Sequence, residues 1–225
     1  MKQIKNRIAI LVAITFSFFG FQSSANAIEG LSVGLSYHTG AAMGTGKEVK
    51  SDDADNTTEE DGAFEFDVPA VFVEFSPNDT FAFGVEYLPD SIDTPENLNK
   101  QDASGVNDEG SLSNKVSASF EEHTTFYANI NMPYNTYLKL GYVMTDVSTD
   151  ENLATGGAYD DTDTTGYTVG LGYNHDADNG VFVRVELAVT EYDDVSATNK
   201  NDSEKTVSVS EMYGATASIK IGKSF

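Results

Sequence analysis

The chain has 225 residues, with 36 Asp and Glu against 13 Lys and Arg, a formal charge of −23, 40% hydrophobic residues and no Cys. Such a surplus of acids argues against a nucleic-acid partner, because phosphates would be repelled over most of the surface. The missing thiols exclude disulfides, thiolate metal sites and Cys nucleophiles, and past the N-terminus no apolar run reaches the roughly 20 residues of a spanning helix.

Residues 1–27 read as a cleaved export signal. Lys2, Lys5 and Arg7 form a basic start, Ile8 to Phe19 an apolar stretch, and Ala25-Asn26-Ala27 a small-x-small cleavage site. The expected mature domain is 28–225. The leader carries three basic residues and no acid, so its removal makes the rest more negative.

Eight stretches alternate with period two, and none sustains an apolar 3.6-residue repeat. The first sets Leu31, Val33, Leu35 and Tyr37 against Ser32, Gly34, Ser36 and His38. The second, 63–75, changes parity: Phe64, Phe66 and Val68 lie on one face but Val71, Val73 and Phe75 on the other, which predicts a bulge near Pro69-Ala70. The third sets Phe81, Phe83, Val85 and Tyr87 against Ala82, Gly84 and Glu86. The fourth, 116–132, groups Phe120, Phe126, Ala128, Ile130 and Met132 opposite Tyr127, Asn129 and Asn131. The fifth sets Leu138, Leu140, Tyr142 and Met144 against Lys139, Gly141 and Thr145; the sixth sets Tyr167, Val169, Leu171 and Tyr173 against Thr168, Gly170 and Gly172. In the seventh, Val181, Val183, Val185, Leu187 and Val189 oppose Phe182, Arg184, Glu186 and Ala188. The eighth groups Tyr213, Ala215, Ala217, Ile219, Ile221 and Phe225 opposite Gly214, Thr216, Ser218, Lys220 and Gly222.

The connections alternate as well. Residues 76–79, 133–135 and 174–180 form tight turns, whereas 44–62, 89–115, 146–164 and 191–206 are long and hold 24 of the 36 acids with six lysines. Clustered like charges with few aromatics predict four solvated loops that do not pack. Short turns at one end, long loops at the other and alternation along every strand are what an eight-stranded antiparallel transmembrane β-barrel requires. A soluble sandwich or lipocalin-like barrel would also alternate, but its wet face would carry many Lys and Glu. Here that face holds Gly, Ser and Thr with a few opposite charges, as a cramped lumen does. Aromatics at the ends of the apolar face predict two girdles: Phe75, Phe81, Tyr173 and Phe225 near the short turns, and Tyr37, Phe64, Tyr87, Tyr142 and Tyr213 toward the loops.

Four segments carry a family resemblance: 137–142 (YLKLGY), 166–173 (GYTVGLGY), 184–187 (RVEL) and 219–225 (IKIGKSF). On these the chain resembles the small eight-stranded outer-membrane barrels that include the transmembrane domain of outer membrane protein A and outer membrane protein X. The resemblance implies a bacterial outer-membrane location with short periplasmic turns, both termini periplasmic and acidic loops outside. It implies lipid and lipopolysaccharide as surroundings, and the barrel-insertion machinery as an assembly partner that reads Ile219, Ile221 and the terminal Phe225. A monomer is expected, and within this family pores, anchors, adhesins and enzymes all occur.

Three chemical motifs fail. Gly44-Thr45-Gly46-Lys47 has Ala41 where a phosphate loop needs Gly, and Glu48 follows the Lys. Asp161-Thr162-Asp163-Thr164-Thr165-Gly166 starts like a calcium loop but ends on Gly172 instead of Glu. Asp52, Asp53, Asp55, Glu59, Glu60 and Asp61 read as a solvated run that holds divalent cations weakly at most. An outer-membrane lipid-modifying enzyme would need His123 with Glu121 or Glu122, yet His123 has lumen parity, and the expectation is a non-enzyme without cofactor or dedicated metal site.

The distinctive residues are six lumen-facing charges, Glu74, Glu86, Lys139, Arg184, Glu186 and Lys220, which rise to overlapping levels from the short-turn end. An eight-stranded barrel holds only its own side chains, and unpaired charges inside it would cost several kcal/mol each. Cross-lumen ion pairs are therefore expected, closing the barrel and leaving a structural or surface-interaction role. The alternative is a narrow porin-like channel for ions or small solutes, with Gly34, Gly84, Gly141, Gly170, Gly172, Gly214 and Gly222 leaving a thin conduit. A polar lumen argues against an apolar one.

Overall fold

The structure, a computed structural model, describes residues 28–49, 57–102, 111–153 and 158–225. The expected signal segment and Asp52, Asp53 and Asp55 lie outside these residues. The elements are β1 (Leu31–Val49), β2 (Thr57–Phe75), β3 (Phe81–Tyr87), β4 (Ile92–Asp93), β5 (Asn97–Asp102), β6 (Ser111–Met132), β7 (Thr136–Leu153), β8 (Thr162–Asp176), β9 (Val181–Tyr192), β10 (Val195–Asn199) and β11 (Asp202–Ser224).

Eight of them form a closed antiparallel ring in the order β1-β2-β3-β6-β7-β8-β9-β11, and β11 pairs back onto β1. Closure leaves no edge along the band that faces lipid. The ends of the barrel chain meet at the short-turn end, where Gly30 N donates to Phe225 O at 3.1 Å and Phe225 N to Leu31 O at 2.9 Å. Each tight turn has its own chemistry. Asn78 Oδ1 accepts from the backbone of Thr80 and Phe81, and Tyr134 and Asn135 both take positive φ, the twist a two-residue hairpin turn needs.

The alternation sorts side chains as lipid and lumen demand. Leu35, Phe83, Phe126, Leu140, Val169, Leu171, Val185, Leu187, Ile219 and Ile221 are exposed on the outer wall. A soluble barrel would have to bury these residues. Inside, lumen glycines sit directly across the ladder from aromatic residues: Gly34 opposite Phe72, Gly84 opposite Tyr127, Gly172 opposite Tyr137 and Gly222 opposite Phe182. In each case a Cβ on the glycine would overlap the ring. These glycines therefore do not leave a conduit, because the missing side chain is the space that the neighbouring ring fills. Gly84→Val and Gly172→Val are expected to lower unfolding stability in detergent by about 1–3 kcal/mol each. Denaturant midpoints check this.

The bulge lies elsewhere than the alternation indicated. The β1–β2 ladder runs from Leu31↔Phe75 to Val49↔Thr57 without a register shift, with Pro69 opposite Tyr37. What changes at Pro69 is the surroundings. Below it Val73 and Phe75 are exposed on the outer wall, with Val71 of the same parity but buried; above it Asp67 and Glu65 are exposed, while Phe64, Phe66 and Val68 point inward. Phe64 thus leaves the expected outer girdle. The ladder shifts between Glu121 and Thr124 on β6, and between Met43 and Thr45 on β1 opposite β11. Glu122 and Glu211 take positive φ there, both at 52°. The first shift turns Phe120 inward, contrary to the parity reading. Phe120, Phe64 and Phe66 pack on Val68, Ala70, Leu88 and Ile92, so one inner wall at the long-loop end is apolar where a polar lumen was expected.

The acidic segments are also more ordered than loops. The β1–β2 and β1–β11 ladders continue to Val49, β10 pairs with β11, and β5, β6 and β7 form a second extension. Charge repulsion limits side-chain packing, but a ladder needs only backbone pairing and a β-compatible sequence such as Thr206-Val207-Ser208-Val209.

Candidate functional site

Five strands bring the six charges together. β2 supplies Glu74, β3 Glu86, β7 Lys139, β9 Arg184 and Glu186, and β11 Lys220. All face inward because each shares the parity of a buried lumen neighbour, and both Glu and Lys members are nearly inaccessible: Glu74 is 1% exposed and Lys220 3%.

The charges form two units. In the first, the Arg184 guanidinium grips Glu74 with two parallel bonds, Nη1 to Oε2 and Nη2 to Oε1, each 2.8 Å. Asn129 Nδ2 at 2.8 Å and the Tyr127 hydroxyl at 3.2 Å also donate to Glu74 Oε2, while Arg184 Nε donates to Asn174 Oδ1 at 3.1 Å. The guanidinium lies 4.4 Å from the centre of the Phe182 ring, and Phe182 neighbours Phe72 at 6.1 Å. A bidentate, charge-assisted pair of this kind is the strong form of an ion pair.

The second unit is a four-membered arrangement of alternating charge. Lys220 Nζ lies 2.7 Å from Glu86 and 3.2 Å from Glu186; Lys139 Nζ lies 3.3 Å from Glu86 and 3.1 Å from Glu186. Ser36 Oγ donates to Glu86 at 3.1 Å and Tyr137 OH to Glu186 at 2.8 Å. Lys139 sits 4.7 Å over the Tyr127 ring, which links the two units. Each carboxylate meets two ammonium groups and a hydroxyl, and each ammonium two carboxylates. The six charges sum to zero, which is the condition for holding them in a low-dielectric lumen.

Sequence reasoning named the six charges but not their company. It missed Tyr127, Asn129, Tyr137, Ser36 and Asn174, whose inward parity was legible although their partners were not. It expected cross-lumen pairs without assigning them; Arg184 belongs to Glu74 and Glu186 to the two lysines. Ile219 and Ile221 lie on the outer wall, and Phe225 stands 5.9 Å from Lys223 Nζ.

His38, Ser36 and Glu86 have the composition of a hydrolytic triad without its arrangement. His38 Nε2 meets both Ser36 Oγ, at 3.1 Å, and Glu86 Oε1, at 3.5 Å. Ser36 gives its proton to Glu86. A triad needs the acid and the nucleophile on opposite ring nitrogens. His123 points inward to Tyr192 OH at 3.0 Å, while Glu121 accepts from Ser148 at 3.2 Å on the exposed side. Among the described residues no group of His, Cys, Asp and Glu is placed to hold a metal ion.

No family model matches the chain and no curated protein matches it. Among solved structures it is similar to the outer membrane protease OmpT from Escherichia coli, with a TM-score of 0.52, 10% identity, and coverage of 91% of this chain and 99% of that one. The chain has the outer-membrane β-barrel fold. It is similar also to OprG from Pseudomonas aeruginosa, at a TM-score of 0.48, 13% identity and coverage of 89% and 99%. For Neisserial surface protein A the values are 0.39, 12%, 88% and 98%. The likeness to OmpT carries the fold and, at 10% identity, no activity.

Proposed function

We propose that this barrel is a closed outer-membrane protein with a structural or surface-interaction role and no catalytic one. The observation that carries this reading is the lumen filling: six charges on five strands sum to zero, each is held in an ion pair, and Phe72 and Phe182 pack beside them. Opening a water path would require breaking several buried, hydrogen-bonded pairs together, which thermal motion does rarely. The outer apolar wall supports residence among lipid, and the acidic extensions support a water-facing side opposite the short turns. Both chain ends then lie in the periplasm, the insertion machinery reads Ile219, Ile221 and Phe225, and the protein works as a monomer. The acidic extensions meet lipopolysaccharide and weakly held divalent cations outside.

The folded protein should migrate differently on gels before and after boiling and partition with outer membranes. Protease added to whole cells should cut only within the long-loop end. Recovery in the soluble periplasm sinks the location, and cleavage confined to the short turns reverses the topology. Liposomes carrying the protein should swell no faster in small sugars than empty ones; rapid swelling counts against the closed lumen.

A further inference from the structure

Beyond the barrel proper, β2 has a strand partner on one side only among the described residues. β3 ends at Tyr87, which pairs with Val71, and the next elements, β4 and β5, pair with β6 instead. Leu88 and Ile92 cover Val68 and Ala70. From Thr57 to Asp67, among the described residues, β1 is the sole strand partner of β2. At about 3.3 Å per residue this is an open edge roughly 35 Å long.

The two faces of that edge differ in chemistry. Glu59, Asp61, Glu65 and Asp67 share the outward parity and are exposed, while the inward parity holds the partly accessible Phe64 and Phe66 next to the barrel and the exposed Thr58 and Glu60 farther out. Lys47 stands opposite Glu59 in the β1–β2 ladder and Thr45 donates to Asp61 at 2.8 Å, so Glu65 and Asp67 are the acids most open to a partner. A second copy of the chain cannot use this edge well. Antiparallel self-pairing would set acids against acids, and directly opposed like charges are destabilising.

We propose that residues 57–67 of β2 are a strand-addition site for an extended polypeptide segment that alternates basic and apolar side chains. The backbone of such a segment would complete the ladder, as in other edge-strand recognition. Its basic residues would lie beside Glu65 and Asp67 on the outer face, and its apolar residues would cover Phe64 and Phe66 within. The geometry is independent of which side of the membrane the edge faces.

The test uses the purified protein folded in dodecyl maltoside and a blocked eleven-residue peptide alternating Lys and Val. A control peptide of equal charge carries Pro at every third position, which removes ladder donors. Hydrogen exchange is expected to slow at least tenfold at alternate amides within 57–67 with the Lys–Val peptide and to stay unchanged with the control. Glu65→Gln with Asp67→Asn is expected to weaken binding severalfold at low salt, in line with two cross-strand charge pairs. Equal binding of both peptides would show a charge effect without strand addition and overturn the proposal. Failure of the Lys–Val peptide to bind, or protection confined to other strands, would overturn it too.

Discussion

Replacing Glu86 by Gln is expected to lower the unfolding free energy of the detergent-folded barrel by about 3–5 kcal/mol, the range for removing one partner of a buried ion pair. The reason is local. Glu86 is the carboxylate that receives Lys220 at 2.7 Å and Lys139 at 3.3 Å. Its loss leaves two ammonium groups to share Glu186 in a site where neither is more than 3% exposed. The companion substitution decides whether charge or shape is responsible. Glu86→Gln combined with Lys220→Met restores neutrality and should recover a large part of the loss, because a neutral, filled site escapes the desolvation penalty. Urea titration followed by gel shift or tryptophan-free fluorescence of the tyrosines gives both numbers. If the single variant matches the parent, the four-membered unit does not hold the lumen.

The second large effect concerns Arg184. Arg184→Ala removes both bonds to Glu74 and leaves a carboxylate that is 1% exposed with only Tyr127 and Asn129 as donors. It also removes the guanidinium from over Phe182. The buried carboxylate must then draw in water or a cation, and the space left by the side chain provides room for it. The expected result is a rise in the frequency of channel openings by an order of magnitude or more in planar bilayers. Arg184→Lys should fall between parent and Ala, because an ammonium keeps the charge but cannot make the parallel pair of bonds. Equal opening frequencies for parent and Ala would show that Glu74 is satisfied without Arg184.

Much of this was legible because lipid is an unforgiving solvent. It requires an apolar side chain at every second position along eight strands, and Leu138 to Met144 or Tyr167 to Tyr173 announce that by themselves. The same reasoning went wrong where the surroundings changed. It took Phe64, Phe66 and Val68 for lipid-facing residues because it assumed that an apolar side chain faces out. Above Pro69 the outer face meets water, so the apolar side chains turn inward with the register intact. The true shifts left no mark in the alternation that could be read. Glu122 and Glu211 adopt a left-handed backbone that glycine favours, and a Glu gives no warning of it.

The partners of the six charges were illegible for a different reason. Pairing across a lumen depends on the stagger of the strands around the ring, which no single strand encodes. Lys220 and Arg184 are direct neighbours in the ladder. They avoid a like-charge contact because Glu86 and Glu186 hold one while Glu74 holds the other. The covered glycines follow the same logic. Gly84 looks like an empty position until the ladder places it opposite Tyr127.

Single-channel recording of the refolded parent in planar bilayers tests the closed lumen most directly. With the two ion-paired units intact, most insertions are expected to stay silent at moderate voltage, with rare and irregular openings. Stable, uniform conductance in the majority of insertions would contradict the account.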